Sequence, residues 1–159
     1  MRQKRVHKTT TAPDDGLPPV GGVGQQLSAD TIVIARASGD AALHASAAGC
    51  TYAFTIRDSF SGLAAADPQR HRTLNNNYAA LKHFQGASSL KKPDIVVKSD
   101  AAAEITGAVR DLGWHSEPAL PGRWPHNAAH ERWIGTFKSV VRAAMLQSGC
   151  PENAWDMAV

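Results

Sequence analysis

Three acidic residues lie at positions where their side chains could bind metal. Asp30 precedes the apolar run TIVI, Asp100 ends the segment DIVVKSD, and Glu131 follows the loop-like stretch EPALPGRWPHN. Neighbouring carboxylates repel one another, so a cluster of them is unfavourable unless a cation neutralises it. Mg²⁺ or Mn²⁺ suits such oxygen ligands, and a pair of ions can activate an attacking oxygen and stabilise the leaving oxygen in phosphoryl transfer. Asp30, Asp100 and Glu131 are therefore candidates for a catalytic site that holds two divalent ions.

Each of these acids also has a structural explanation that the sequence leaves open. Asp100 could be the N-cap of a following helix, Glu131 a favourable charge at a helix N-terminus, and Asp30 a strand-edge acid. Asp40 is the alternative to Asp30 as the first of the three acids along the chain. It falls in the turn-like SGD, whereas Asp30 adjoins a strand-like run. Asp58 opens the segment DSFSG and is expected to cap that turn. We prefer Asp30 as the first acid.

The elements that must position these acids follow from hydrophobic periodicity. Short β-branched or alternating segments predict strands, and apolar residues at helical spacing predict helices. The predicted strands are 31–37, 51–58, 63–66, 94–100 and 114–116, and the predicted helices are 72–85, 101–112 and 128–147. An antiparallel opening followed by alternating elements implies an α/β fold with a mixed sheet. Asp100 then follows a strand at the sheet edge where such folds commonly bind ligands, and Glu131 occupies the first turn of a helix.

The last predicted helix combines an acid with a row of cations. Glu131, Gly135, Lys138 and Arg142 fall on one face at helical spacing. Cations on such a face can hold DNA phosphates, although for Arg142 alone a solvated helix face is the better explanation. Arg123 in the preceding loop is predicted to contact phosphate as well. The apolar side of the helix is expected to pack on the sheet through Trp133, Phe137, Val140 and Val141.

The composition excludes several classes of protein. The 159 residues contain 17 lysines and arginines and 14 acids, giving a net charge of +3. No apolar run is long enough to span a membrane, and the N-terminus lacks a secretory signal. The 2 cysteines and 7 histidines show no disulfide framework and no zinc-ligand spacing. We expect a soluble, intracellular protein with a flexible basic arm over residues 1–26, rich in proline and glycine, and one domain over 27–159.

Three segments resemble the catalytic core of retrovirus-like integrases, most closely those of copia-type retrotransposons. They are TYAFTIRDSFSG, VVKSD and LGWHSEPALPGRWPHNAAHERWIGTFKSVVR, and the resemblance covers about residues 27–159. It implies a ribonuclease-H-like fold, a mixed sheet of about five strands with helices on both faces. It also implies a triad of Asp30, Asp100 and Glu131, and it adds Asn127 to the residues expected to bind nucleic acid.

The resemblance implies metal-dependent processing of DNA 3′ ends and DNA strand transfer. The expected partners are the DNA ends of an element and its target DNA, with a homo-oligomer as the active form and the nucleus as the location. Neither a membrane nor a small-molecule substrate is expected. The chain departs from the family in having Ala101 and Ala102 after Asp100, where family members usually have Asn, often followed by Gly. It also looks cut short at the C-terminal end.

Two alternatives come from other functional classes. One is a catalytically silent remnant of a retroelement polyprotein that at most binds nucleic acid or a partner. The other is a related DDE transposase or ribonuclease-H-like nuclease. Metal binding separates the remnant from the active proteins, and a nuclease would hydrolyse DNA without joining ends.

Overall fold

A five-stranded sheet organises the chain. The computed structural model describes residues 20–33, 45–86, 94–118 and 128–159. The strands are β1 (Gln26–Val33), β2 (Tyr52–Asp58), β3 (Ala64–Gln69), β4 (Val96–Ser99) and β5 (His115–Pro118). The helices are α1 (Leu74–Gln85), α2 (Ala103–Asp111) and α3 (Ala128–Ser148), and a 3-10 helix (Glu152–Met157) follows.

The sheet is mixed, as the order of elements predicted. Its strands lie in the order β3-β2-β1-β4-β5. The two hairpin-like pairs, β1 with β2 and β2 with β3, are antiparallel, whereas β4 runs parallel to both β1 and β5. Parallel neighbours need a crossover connection, and α1 and α2 occupy those two connections. The carboxyl ends of β1 and β4 therefore point to the same edge of the sheet.

Alternation along the strands divides the sheet into two faces. Leu27, Phe54 and Val97 belong to a fully buried cluster that α1 and α2 cover from one side. α1 packs against this cluster through Leu74, Tyr78, Leu81 and Phe84. These apolar residues recur every three or four positions, which places them on the side of α1 that faces the sheet.

The opposite face carries α3 and the 3-10 helix. Ile32, Ala53 and Trp155 form a second buried cluster there with Cys50. Ile134 and Phe137 from α3 pack against it. Helices therefore cover both faces of the sheet, as expected. Val140, which was predicted to pack on the sheet, is 60% exposed, because the second half of α3 extends past the second cluster.

Several boundaries differ from the predicted ones for physical reasons. β1 begins at Gln26, so Asp30 lies in the middle of a strand rather than at its start. β3 continues through Asp67 and Pro68 to Gln69, beyond the predicted end at residue 66. β3 is an edge strand, where the missing N–H of a proline need not cost a ladder hydrogen bond. Residues 1–19, most of the predicted arm, and 34–37, the end of the predicted first strand, lie outside the described residues.

Within the described ranges, no helix has both the length and the apolar character needed to cross a membrane.

Candidate active site

Asp30 and Asp100 lie on neighbouring parallel strands, where the end of β4 reaches the middle of β1. Asp30 is in β1, and Asp100 directly follows β4. The parallel register pairs Ser28 with Lys98, and two residues further along each chain it reaches Asp30 and Asp100. Since side chains alternate between faces, Asp30 lies on the face that α3 covers. This placement comes from the β1–β4 pairing, which the sequence alone does not specify.

Glu131 approaches the same place from α3. It lies in the first turn of that helix. The preceding residue, His130, is 1% exposed, and its Nε2 atom lies 3.0 Å from the hydroxyl oxygen of Thr55 on β2. Thr55 is the antiparallel partner of Asp30. The first turn of α3 is therefore attached to the strand next to Asp30.

The charges of the other two acids affect the pKa of Asp30. Burial raises the pKa of Asp30, and the charges of Asp100 and Glu131 raise it further. A 2.7 Å hydrogen bond from the N–H of Thr31 and the charge of Lys138 act in the opposite direction, but the net pKa stays raised. The structure thus brings Asp30, Asp100, Glu131 and Lys138 within electrostatic reach of one another.

The Asp100 side chain contributes little to capping α2. The N-cap residue of α2 is Ala102, and among the described residues no side chain makes the capping hydrogen bond there. The Asp100 carboxylate accepts one long hydrogen bond, 3.4 Å from the N–H of Ala102, and the residue is exposed. The N-cap explanation for Asp100 is therefore wrong, and its carboxylate remains accessible for another role.

Comparison with known proteins settles what kind of fold holds these acids. No protein-family model and no curated protein matches the sequence. Solved structures do match over 85% of the chain, with TM-scores of 0.59, 0.53 and 0.51 and identities of 15%, 16% and 17%. They are the simian T-cell lymphotropic virus intasome in complex with PP2A regulatory subunit B56 gamma, the HTLV-2 integrase catalytic core domain in complex with magnesium in a trimeric form, and the catalytic core domain of BIV integrase.

The chain has the ribonuclease-H-like fold of retroviral integrase catalytic cores. The match covers 82% and 80% of the HTLV-2 and BIV core chains, but 46% of the simian virus chain. The chain therefore spans less than half of the simian virus chain. The identities are low enough that the match concerns the fold alone.

The donor atoms of the three acids suit a hard divalent cation. Asp30, Asp100 and Glu131 offer carboxylate oxygens, the ligands that Mg²⁺ prefers. Within the described parts of the chain, however, no three histidine, cysteine, aspartate or glutamate side chains stand close enough together to hold an ion as placed. The chemistry of the three residues fits a divalent ion, and their side chains would have to draw closer to share it.

The predicted nucleic-acid contacts fall into two groups. Lys138 lies on the exposed side of α3, close enough to Asp30 for its charge to lower the pKa of that carboxyl. Arg142 is exposed one turn further along the helix. Arg123 and Asn127, and the rival acid Asp40, lie outside the described residues. Only Lys138 is thus tied to the acids by a described interaction.

His130 and Thr55 are the residues at this site that sequence reasoning missed. His130 is buried against the sheet and stacks on Trp133 with 5.6 Å between ring centroids. Trp133 in turn stacks on Phe137 at 5.2 Å. The spacing of these three rings, three and four residues apart on α3, is the signal that could have predicted the burial of His130.

Asp58 belongs to the framework rather than to the acidic site. Its carboxylate accepts hydrogen bonds from the N–H of Ser61 at 2.7 Å and from the hydroxyl of Ser61 at 2.5 Å. It also accepts one from the N–H of Gly24 at 3.0 Å. Burial alone would raise the pKa of Asp58, but these hydrogen bonds outweigh it and the net pKa is lowered. The prediction that Asp58 caps the turn after β2 is confirmed.

Proposed function

We propose that the chain is the catalytic core of an integrase that processes DNA 3′ ends and transfers them to target DNA. One observation carries the proposal. The β1–β4 register and the attachment of α3 bring Asp30, Asp100 and Glu131 within electrostatic reach where β4 ends beside β1. Such a concentration of negative charge is unfavourable without a cation, and the fold is that of integrase cores.

In this proposal, Asp30, Asp100 and Glu131 hold two Mg²⁺ or Mn²⁺ ions. The HTLV-2 integrase core, which shares the fold, is known in complex with magnesium, and this likeness supports the choice of metal. When bound, the ions would polarise the attacking and leaving oxygens of an in-line displacement at phosphorus. The protein supplies position and charge, and no covalent enzyme intermediate is required.

Cations on α3 and in the loop before it would hold the DNA backbone. Lys138 lies close enough to act on Asp30, so a phosphate bound by Lys138 would lie near the acids. Arg142, Arg123 and Asn127 complete the proposed DNA-binding set. Because backbone contacts carry little sequence information, target choice should be largely independent of sequence.

The wider setting follows from the segments that resemble copia-type integrases. The proposed partners are the DNA ends of a retroelement and its target DNA, with a homo-oligomer as the active form and the nucleus as the site of action. A trimeric form of the HTLV-2 core is in line with self-association.

A strand-transfer assay tests this function. The purified chain is incubated with Mn²⁺, a labelled duplex carrying an element end, and plasmid DNA, and joined products are counted. Glu131→Gln should abolish joining, because it removes one negative ligand with little change in shape. Glu152→Gln is the matched control, since Glu152 is an exposed acid on the 3-10 helix. Joining that persists in Glu131→Gln would refute the proposal.

A catalytically silent remnant is the second candidate. Ala101 follows Asp100 where the family usually has a polar Asn, and the described acids do not form a closed ligand set. A chain that binds DNA but shows neither metal binding nor cleavage would support the remnant. Hydrolysis of DNA without joining would instead support a related nuclease.

A further inference from the structure

Two hydrogen bonds connect the helix that carries Glu131 to the strand that carries Asp30. The Nε2 atom of His130 lies 3.0 Å from Thr55 Oγ1, and Thr55 Oγ1 donates to the backbone carbonyl of Asp30 at 2.9 Å. Thr55 is 0% exposed and His130 1%. This connection, which we call the His130–Thr55 link, therefore lies away from water, where hydrogen bonds are costly to break.

The direction of each bond in the link can be assigned from chemistry. The carbonyl of Asp30 can only accept, so the proton between it and Thr55 must come from the Thr55 hydroxyl. That hydroxyl has no second proton to give. His130 must therefore carry its proton on Nε2 and donate it to Thr55. The ring is neutral in this arrangement, with Nδ1 unprotonated and without a hydrogen-bond partner in the described residues.

The His130–Thr55 link fixes the position of α3 along the sheet, which apolar packing alone would allow to shift. Ile134 and Phe137 hold α3 against the second cluster, but apolar contacts have little directional preference. The link ends at Asp30 itself on one side and at the neighbour of Glu131 on the other. A shift of α3 along the sheet would break it and would change the distance between the two acids.

We propose that His130 and Thr55 are positioning residues, which hold the first turn of α3 so that Glu131 stays beside Asp30. The inference rests on the proposed function, because Asp30 and Glu131 need to lie close together only if they share a metal ion. The attachment of α3 can nevertheless be measured without metal. Neither residue touches the reacting atoms in this proposal, and both act through the acids.

The test compares three variants of the whole chain. Thr55→Val keeps the shape of the side chain but removes the hydroxyl, which leaves His130 Nε2–H and the Asp30 carbonyl without their link partner. Thr55→Ser retains the hydroxyl and should restore the link. Val109→Ala is a control for general loss of stability, because Val109 is fully buried on α2 against the opposite face of the sheet.

Hydrogen exchange of the first turn of α3, without metal, is the first readout. We expect exchange in residues 131–135, which include the first N–H groups of α3 bonded within the helix, to be at least about tenfold faster in Thr55→Val than in Val109→Ala of matched stability, and to recover in Thr55→Ser. The second readout is the Mn²⁺ concentration that gives half of the thermal stabilisation. It should rise by about tenfold in Thr55→Val, a typical loss when a residue behind a metal ligand is removed.

The two readouts separate the two claims. Equal exchange in Thr55→Val and Val109→Ala would overturn the positioning role, whatever the metal does. Faster exchange in Thr55→Val, in a chain whose parent ignores Mn²⁺, would support the attachment of α3 and refute the metal site of the proposed function. If Thr55→Val does not fold, His130→Gln and His130→Leu provide the same comparison, because glutamine keeps an N–H donor and leucine does not.

Discussion

Asp100 acts on Asp30 across two neighbouring strands. Burial raises the pKa of Asp30 first, and the charge of Asp100 raises it further. A carboxyl with a raised pKa favours folding below its ordinary pKa, and this contribution is lost as the pH rises through the folded-state pKa. At neutral pH the ionised Asp30 therefore opposes folding, and removing a neighbouring negative charge or adding a cation should relieve that cost.

Asp100→Asn should raise the melting temperature of the metal-free chain slightly, by about 1–2 °C. The reason is the removal of a negative charge that acts on Asp30. In the parent, saturating Mn²⁺ should raise the melting temperature by about 5–10 °C, because an ion that binds only the folded state stabilises it in proportion to saturation. In Asp100→Asn this response should be largely lost. Thermal unfolding with EDTA and with Mn²⁺ measures both effects.

The control for this measurement is Asp111→Asn. Asp111 is an exposed acid at the end of α2. It should leave the response to Mn²⁺ unchanged. A parent that unfolds cooperatively but ignores Mn²⁺ would count against the acidic site and in favour of the silent remnant.

The buried His130 should make the fold sensitive to mild acid. Burial, together with the charge of Arg57, lowers the pKa of His130 to about 4, from an ordinary value of 6.5. Its contribution to stability is fully present above pH 6.5 and is lost as the pH falls through the folded-state pKa. The difference corresponds to about 3 kcal/mol in the free energy of unfolding. Urea denaturation in EDTA at pH 7 and pH 4 should show this loss.

His130→Gln should reduce this acid dependence, because glutamine does not titrate. His83→Gln serves as the control, since His83 is exposed in the last turn of α1. A parent and a His130→Gln variant that lose the same free energy between pH 7 and pH 4 would contradict the assignment of a neutral, buried ring.

Elements encoded by local sequence patterns could be predicted, whereas features that depend on pairing between distant residues could not. The apolar spacing of α1 and the alternation of β2 are local, and both elements lie within two residues of their predicted bounds. The start of β1 was missed because Gln26 and Ser28 have no strand-like pattern. They are in a strand because they pair with β2 and β4. Pairing with β2 likewise extends β3 through Pro68.

In the candidate site, too, local patterns predict the placement of single residues but not the contacts between them. The predicted placement of Asp100 directly after a strand and of Glu131 in the first turn of a helix is confirmed, because both depend on local patterns. The proximity of Asp30 to Asp100 depends on the parallel register of β1 and β4, which is a tertiary property. The His130–Thr55 link joins residues 75 positions apart, so no local pattern contains it.

Asp58 should be the acid whose replacement most weakens the framework. Its carboxylate joins the turn after β2 to the segment before β1 through Ser61 and Gly24. Asp58→Asn should lower the free energy of unfolding at pH 7 by about 1–3 kcal/mol, because the amide presents N–H groups to donors. Since the pKa of Asp58 is lowered from 3.8, this contribution is present above that pH and is lost as the pH falls through the folded-state pKa.

Urea denaturation at pH 7 and at pH 3 checks this prediction. The difference in the free energy of unfolding between the parent and Asp58→Asn should narrow at the lower pH, because below 3.8 the unfolded chain takes up a proton at Asp58 more readily than the folded one does. Asp156→Asn, in the 3-10 helix, is the control. A gap that is the same at both values of pH would mean that the ionised carboxylate is not what stabilises the turn.

Lys138 should contribute to DNA affinity through charge alone. It lies on the exposed side of α3, near enough to Asp30 to affect its pKa. Lys138→Gln should weaken binding to duplex DNA several-fold, equally for unrelated sequences, and should reduce the slope of log K against log salt by about one. Lys82→Gln is the matched control, because Lys82 lies over the ring of Tyr78 on α1, away from the acids. If Lys82→Gln reduced affinity and salt slope as much as Lys138→Gln, the DNA would not bind along α3, and the proposed path of the backbone past Asp30 would be wrong.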